Sequence, residues 1–139
     1  MSTIRKILKS AEIKRSDILY DLGSGDGRII IAAANEYGIK TVGIENNHLL
    51  YLISKWNVKR YSVSSKVKLI RGDLFRQNLS EANVVVVYLT QRMNDKLKPK
   101  LEKELRKGTR VVSADHVFKG WKEVSKIKTG HFYCHLYKI

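Results

Sequence analysis

The stretch Tyr20-Asp21-Leu22-Gly23-Ser24-Gly25-Asp26-Gly27-Arg28 decides how the rest of the chain folds. The short apolar run before it, residues 18–20, is typical of a buried parallel strand. The apolar run after it continues to residue 37, which is too long for a strand and predicts a helix that ends at Gly38. A strand, a glycine turn and a helix in this order let the backbone approach a ligand beside the positive end of the helix.

The glycine spacing and the acids in the turn narrow the choice of ligand. A dinucleotide site has Gly-x-Gly-x-x-Gly, whereas Arg28 stands here at the third glycine's place and Gly27 comes one residue early. Asp21 and Asp26 disfavour a pyrophosphate, because like charges repel strongly in a partly desolvated site. A cationic nucleoside such as S-adenosylmethionine, with its sulfonium and ammonium groups, is favoured instead. A turn that binds no ligand is the alternative, since three glycines at this spacing are a weak signal alone.

The segment resembles the first motif of class I S-adenosylmethionine-dependent methyltransferases. The resemblance implies that S-adenosylmethionine is the cofactor. It also implies that the turn binds this cofactor through five residues: Asp21, Gly23, Ser24, Gly25 and Gly27.

An acid ends the second strand, which the sequence predicts over residues 41–45. In a doubly wound fold such an acid reaches the ribose hydroxyls of a bound nucleoside, so we expect Glu45 to bind the cofactor, together with the adjacent Asn46. An exposed glutamate at a strand end is the alternative. A third strand over residues 67–70 leads into Asp73-Leu74-Phe75.

The ending of that third strand resembles the methyltransferase motif in which a carboxylate accepts a hydrogen bond from the adenine amine. The resemblance implies this role for Asp73, with Leu74 or Phe75 covering the adenine ring. A helix N-cap for Asp73 and a core position for Phe75 are the alternatives.

Periodicity outlines the remaining elements. The spacing of Ile4, Ile7, Leu8 and Ala11 predicts a one-sided N-terminal helix. Residues 46–47 cap a second predicted helix, with apolar positions Leu49, Leu52, Ile53 and Trp56. The most hydrophobic run, residues 82–90, predicts a central strand beside the first one, buried on both faces. A helix with an apolar residue at every fourth position follows, and Pro99 is expected to divide it or to start its second half.

The end of the chain predicts a fifth strand and a hairpin. Residues 109–113 form the strand, and the alternating stretches 124–128 and 131–137 flank a tight turn at Thr129-Gly130. Five strand–helix units closed by an antiparallel hairpin resemble the seven-strand methyltransferase architecture. We therefore expect an α/β fold, a Rossmann-like doubly wound sheet that is mostly parallel, with residues 1–139 forming a single domain.

The amino-acid composition limits the kinds of partner that we expect for the protein. The 139 residues carry 27 Lys and Arg against 13 Asp and Glu, a net charge of +14, which favours non-specific association with nucleic acid or other polyanions. No apolar run is long enough to span a membrane, and no membrane partner is expected. Cys134 is the only cysteine, so a disulfide framework is excluded and a cytoplasmic location is expected.

The chemistry expected of the site requires few catalytic groups. Methyl transfer from a sulfonium mainly needs the donor and the nucleophile to be held in line, so no catalytic triad is needed. The end of the fourth strand is where such enzymes contact the nucleophile, which indicates Tyr88 and Thr90 as candidate catalytic residues. Tyr88 is also expected to contact the cofactor. His131 and His135 share one strand face, but two further ligands are not evident and no metal site is expected.

The second half of the chain resembles a more specific family. The blocks 97–105, 107–113 and Gly120-Trp121 are similar to the seven-strand protein lysine methyltransferases of archaea. This resemblance implies methylation of lysine ε-amino groups on proteins, often with broad substrate choice. Phe118 and Trp121 are expected to hold the aliphatic stem of the substrate lysine, and positions in the hydrophobic core are the alternative for both. An RNA or DNA methyltransferase, and a non-catalytic adaptor that keeps the cofactor fold, remain as alternatives.

Overall fold

The structure, a computed structural model, describes residues 2–139 as one seven-stranded sheet with helices on its faces. The helices are α1 (Thr3–Ser10), α2 (Arg28–Tyr37), α3 (His48–Arg60) and α4 (Gln91–Glu104), with a short 3-10 helix at Leu74–Arg76. The strands are β1 (Ile18–Leu22), β2 (Lys40–Glu45), β3 (Val67–Arg71), β4 (Val84–Val87), β5 (Arg110–Ala114), β6 (Ser125–Lys128) and β7 (Tyr133–Lys138).

The strand order is β3-β2-β1-β4-β5-β7-β6. The first five strands in this order are parallel, whereas β7 runs antiparallel to both β5 and β6. The predicted doubly wound sheet with an antiparallel C-terminal hairpin is therefore confirmed. The chain moves outward from β1 to β3 and then returns to the other side of β1 as β4. This reversal opens a crevice at the carboxyl ends of β1 and β4, where open α/β sheets bind ligands.

The centre of the sheet is the most buried part of the protein. All four valines of β4 are fully buried, and so are Leu19 and Leu22 of the neighbouring β1. Strands that are covered by helices on both faces have continuous apolar sequences. This is why the sequence predicted that β1 and β4 are buried strands. The glycine turn is thus anchored on the most buried strands of the fold.

The connections between strands differ from the five strand–helix units that the sequence predicted. Only the short 3-10 helix lies between β3 and β4, and no helix lies between β5 and β6. Pro99 does not divide its helix either, because α4 runs unbroken through it. Pro99 has no N–H, so the backbone carbonyl of Asp95 lacks its usual partner in the helix. Both residues are exposed, so water can donate a hydrogen bond to that carbonyl.

Unlike a typical amphipathic helix, α3 exposes its large apolar side chains and buries small ones. Its buried residues are the small Ser54 and Val58, because Ser54 packs against Gly27 at the start of α2. A Cβ on Gly27 would lie 3.2 Å from the Ser54 Cβ, so no large side chain fits at that contact. The apolar positions named above point outward instead: Leu49 (66% exposed), Leu52 (45%), Ile53 (39%) and Trp56 (62%).

The C-terminal hairpin has a longer connection than the predicted tight turn. Residues 129–132 link β6 to β7, and the Thr129 N–H donates to the Phe132 carbonyl at 2.9 Å. His131 therefore lies in the connection and not on the strand face with His135. Within residues 2–139, no helix is both long enough and apolar enough to cross a membrane.

Candidate active site

The glycine turn after β1 is held against the end of β2. The N–H groups of Gly23 and Ser24 both donate to the Ile44 carbonyl, at 2.8 and 3.0 Å. Gly25 has φ +59° although a Cβ there would meet nothing within 4 Å, so backbone conformation and an open space for a ligand account for this glycine. Gly27 is buried and forms the left-handed N-cap of α2.

Glu45 joins the glycine turn to the next helix. Its Oε1 accepts from the Gly25 N–H at 2.8 Å, and its Oε2 accepts from the Asn47 N–H at 2.9 Å. A carboxylate has about four lone-pair positions, so both oxygens retain capacity for further donors such as ribose hydroxyls. Asn47, not the exposed Asn46, caps α3 by accepting from the Leu50 N–H.

Asp21 is a buried carboxyl without a counter-ion. It is 3% exposed, and no described residue donates a hydrogen bond to it or forms a salt bridge with it. Burial, followed by repulsion from Glu45 and Asp26, raises the pKa of Asp21 to about 7. Asp26 differs, because its hydrogen bonds with Arg28 lower its pKa. Asp21 therefore favours a cationic group beside it.

Asp21 and the glycine turn line a crevice of about 280 Å³ at the switch point of the sheet, whereas Glu45 and Asn46 do not line it. Its lining comprises Asp21, Gly23, Ser24, Gly25, Asp26, Arg28, Ile29, Leu50 and Tyr88. A larger cavity of about 430 Å³ lies between α1, α2 and α3, but it includes neither Asp21 nor Tyr88. We place the ligand site at the smaller crevice, because the unpaired carboxyl and the exposed turn meet there.

The crevice suits a cationic nucleoside. The buried carboxyl of Asp21 complements an ammonium or sulfonium group, and Glu45 offers acceptors to hydroxyl groups. The hydroxyl oxygen of Ser24 is buried against Gly43 of β2 and lacks a partner among the described residues. The donor and acceptor set of the turn thus fits S-adenosylmethionine.

The residues expected to bind the adenine lie after β3 and do not line the crevice. Asp73 is the N-cap of the 3-10 helix, with Oδ1 accepting from the Phe75 N–H at 2.9 Å, so the N-cap alternative describes this contact. Leu74 is buried in the core, which corrects its assignment as a possible cover of the ring. Phe75 is half-buried, and the Lys96 Nζ lies 4.4 Å from its ring centroid.

Tyr88 and Thr90 follow β4, which ends at Val87 and is shorter than the predicted strand over residues 82–90, and they have different local roles. Tyr88 is 58% exposed and lines the crevice. Thr90 is the N-cap of α4, and its hydroxyl accepts from the Met93 N–H at 3.2 Å. This capping role was missed, although a threonine before a helix is its usual signal.

Phe132 contacts Tyr88, which lines the crevice, and the sequence did not predict this contact. Its ring centroid lies 5.2 Å from that of Tyr88, at an interplanar angle of 31°. The two residues are far apart along the chain and meet because the hairpin connection folds back over the end of β4. No local pattern encodes such a contact, so the sequence carried no signal for it.

Phe118 belongs to the hydrophobic core and not to the substrate site. It is 2% exposed, its ring stacks on Trp121 at 4.7 Å, and its N–H donates to the Tyr137 hydroxyl at 3.1 Å. A side chain enclosed in this way cannot contact a substrate, so the substrate-binding assignment of Phe118 is wrong. Trp121 is half-buried and packs against the same cluster, so its contacts support a core role as well.

Comparisons with known proteins agree with this geometry. The ANTKMT methyltransferase domain profile matches residues 21–125. A protein-lysine N-methyltransferase of Saccharolobus islandicus is 43% identical over 131 residues, covering 92% of this chain and 81% of the relative. An adenine nucleotide translocase lysine N-methyltransferase of Mus musculus is 34% identical and aligns with 81% of this chain, which spans about half (49%) of that relative's length.

A solved structure is also very similar. It is a crystal structure described as an RNA methyltransferase from Salinibacter ruber in complex with S-adenosyl-L-homocysteine. The two folds superpose with a TM-score of 0.95 and 38% sequence identity, over 98% of this chain and 89% of that one.

Proposed function

The chain belongs to the ANTKMT methyltransferase domain family, and from this premise we propose that it transfers methyl groups from S-adenosylmethionine to lysine ε-amino groups of proteins. The observation that carries the proposal is the crevice itself. It combines a buried carboxyl without a counter-ion, Asp21, with an exposed tyrosine, Tyr88, at the end of β4. We propose a cytoplasmic location, since the sequence contains one cysteine and therefore no disulfide framework.

The side chains divide the work between binding and orientation. When bound, S-adenosylmethionine supplies a methyl group on a sulfonium that a neutral amine can attack. Asp21, Glu45 and the glycine turn would hold the cofactor. The substrate lysine would lose its proton to solvent before attack, because nearby positive charge repels its ammonium form. The Tyr88 hydroxyl orients the neutral amine by a hydrogen bond, while the rings of Tyr88 and Phe132 pack along the lysine stem.

Replacing Glu45 with alanine is expected to weaken cofactor binding by about 1–3 kcal/mol, because buried donors of the ligand lose their acceptor. The change also releases the N–H groups of Gly25 and Asn47. Calorimetry with S-adenosylhomocysteine measures the effect. Glu45→Gln keeps one carbonyl oxygen and should lose less affinity.

Glu36→Ala is the matched control for that change. Glu36 is an exposed acid on α2 that pairs with Arg5 away from the crevice, so its removal should leave affinity unchanged. Equal affinity in wild type and Glu45→Ala would show that the nucleoside does not bind at the end of β2.

Replacing Tyr88 with phenylalanine separates the hydroxyl from the ring. Tyr88→Phe should lower kcat by about tenfold, since the amine loses an orienting hydrogen bond, while cofactor affinity is retained. Phe132→Ala should instead raise KM for the protein substrate about two- to tenfold, in keeping with the loss of one aromatic contact. Tyr133→Ala is the control, because Tyr133 is exposed and its ring pairs with Lys126 instead. Identical kinetics in wild type and Tyr88→Phe would remove Tyr88 from the catalytic assignment.

RNA methylation is the second candidate function. It is favoured by the similarity to the Salinibacter ruber structure and by the net charge of +14, which promotes association with polyanions. Incubation with S-adenosylmethionine carrying a radiolabelled methyl group, once with protein substrates and once with RNA, distinguishes the two. We expect label in protein, located on lysine by mass spectrometry. Label in RNA alone would overturn the proposed function, and cofactor binding without any label would favour a non-catalytic adaptor.

A further inference from the structure

An apolar stripe covers the outward side of α3. Leu49, Leu52, Ile53 and Trp56 follow the i, i+3, i+4, i+7 spacing of one helix face, and no described residue covers them. We call this surface the α3 outer face. Contiguous apolar groups at the surface of a protein generally mark a binding site.

The segment of sequence that contains the α3 outer face is basic. Residues 46–72 contain no Asp or Glu. They contain six cationic side chains, all exposed: Lys55, Lys59, Arg60, Lys66, Lys68 and Arg71. None of these six takes part in a salt bridge within residues 2–139. The Arg60 guanidinium lies 5.4 Å from the Trp56 ring centroid, so positive charge borders the stripe directly.

This combination selects among the surfaces that could cover the stripe. In a symmetric contact with a second copy, the face would meet itself, and its cations would oppose cations on a chain that also carries +14. Nucleic acid would satisfy the charges but not the aliphatic side chains of Leu49, Leu52 and Ile53, which neither stack on bases nor pair with phosphates. An anionic bilayer satisfies both, since it takes apolar side chains below the headgroups and attracts Lys and Arg at them.

We propose that the α3 outer face binds the surface of membranes that contain anionic lipid. The helix lies in the plane of the interface and does not span the bilayer. Leu50 of the same helix lines the crevice, so this docking holds the cofactor site beside the membrane surface. The proposal revises the expectation of no membrane partner, which considered only spanning segments.

Sedimentation of the full chain with vesicles tests the proposal. One set contains phosphatidylcholine alone and the other contains phosphatidylcholine mixed with phosphatidylglycerol. We expect binding to the anionic vesicles at least about tenfold tighter than to the neutral ones, and weaker at high salt. In a Trp121→Phe background, the fluorescence of the exposed Trp56 should shift to shorter wavelength when anionic vesicles are added.

Two variants and one control locate the surface. The double change Leu52→Ser and Trp56→Ser should weaken vesicle binding about tenfold or more, and so should Lys55→Glu with Lys59→Glu. Both pairs are exposed, so thermal unfolding should stay near that of wild type. Val124→Ser removes an apolar side chain that is 55% exposed at the opposite end of the sheet and should leave binding unchanged.

Three results would overturn the proposal, and none depends on methyl transfer. The first is wild-type protein that does not bind anionic vesicles, and the second is binding that survives the Leu52→Ser, Trp56→Ser change. The third is evidence that another partner covers the α3 outer face. The wild-type protein would form a dimer in sedimentation equilibrium, or a complex with an RNA oligonucleotide, and the double change would abolish that association but not vesicle binding.

Discussion

Replacing Asp21 with asparagine should stabilise the cofactor-free protein by about 2–4 kcal/mol at pH 8 and weaken its binding of S-adenosylmethionine about tenfold or more. The stability gain arises because Asp21 is buried beside Glu45 and Asp26, and its pKa is raised to about 7. Above that pH the wild-type protein holds an uncompensated charge that asparagine lacks. The affinity loss arises because the cationic cofactor loses its carboxylate partner.

The sign of the pH dependence follows from the raised pKa. Between about pH 4 and pH 7 the folded protein keeps a proton on Asp21 that the unfolded chain has already released. The free energy of unfolding of the wild type therefore falls as pH rises through this range, and Asp21→Asn should remove that fall. Cofactor affinity of the wild type should rise over the same range, because ionised Asp21 attracts the cation. Denaturation in urea at about pH 5 and pH 8, with calorimetry at each, measures both effects.

Asp26→Asn is the control in the same turn. Hydrogen bonds with Arg28 lower the pKa of Asp26, so its change to asparagine should not stabilise the protein at either pH. If Asp21→Asn and Asp26→Asn behave alike, the burial of an unpaired charge at Asp21 is not the cause.

Replacing Arg110 with alanine should lower the free energy of unfolding by about 3–5 kcal/mol, because it leaves a buried carboxylate without its partner. Arg110 is 5% exposed and donates from Nη2 to Asp17 Oδ2 at 2.6 Å; Asp17 is 6% exposed. Its Nη1 donates to the carbonyls of Ala11 and Glu12, so one guanidinium ties the start of β5 to the segment after α1. Urea denaturation of the cofactor-free protein gives the value.

Arg106→Ala is the matched control for Arg110. Arg106 is exposed and its one hydrogen bond goes to the Glu81 carbonyl, so its loss should cost no more than about 0.5 kcal/mol. The paired change Arg110→Met with Asp17→Leu should recover much of the lost stability, because it removes both charges together. An equal loss from Arg106→Ala and Arg110→Ala would refute the importance of this buried pair.

The geometry of the glycine turn and of its contact with Glu45 was accessible from the sequence because these residues act locally. Gly23, Gly25 and Gly27 adopt positive φ within a single short turn, and Asp21 precedes them on the same strand. Glu45 ends the next strand of a parallel sheet, where the register alone brings it to the turn. Each of these inferences needs only a strand, a turn and the direction of the chain.

Other features depended on contacts between distant segments. Phe118 was expected to contact the substrate, but the segment after β5 packs its ring against Trp121 and Tyr137 instead. Phe132 reaches Tyr88 only through the fold of the hairpin. Arg110 gave no sign in the sequence that it would be buried, since its partner Asp17 lies 93 residues away.

Helix α3 illustrates the difference between what the sequence determines and what the tertiary structure determines. The spacing of Leu49, Leu52, Ile53 and Trp56 established by itself that α3 has an apolar face. Only the tertiary structure decided that this face points away from the core, because the close approach of α3 to Gly27 admits a serine and no larger side chain. The periodicity of apolar residues indicates that a helix has two different faces. The space that neighbouring elements leave determines which face is buried.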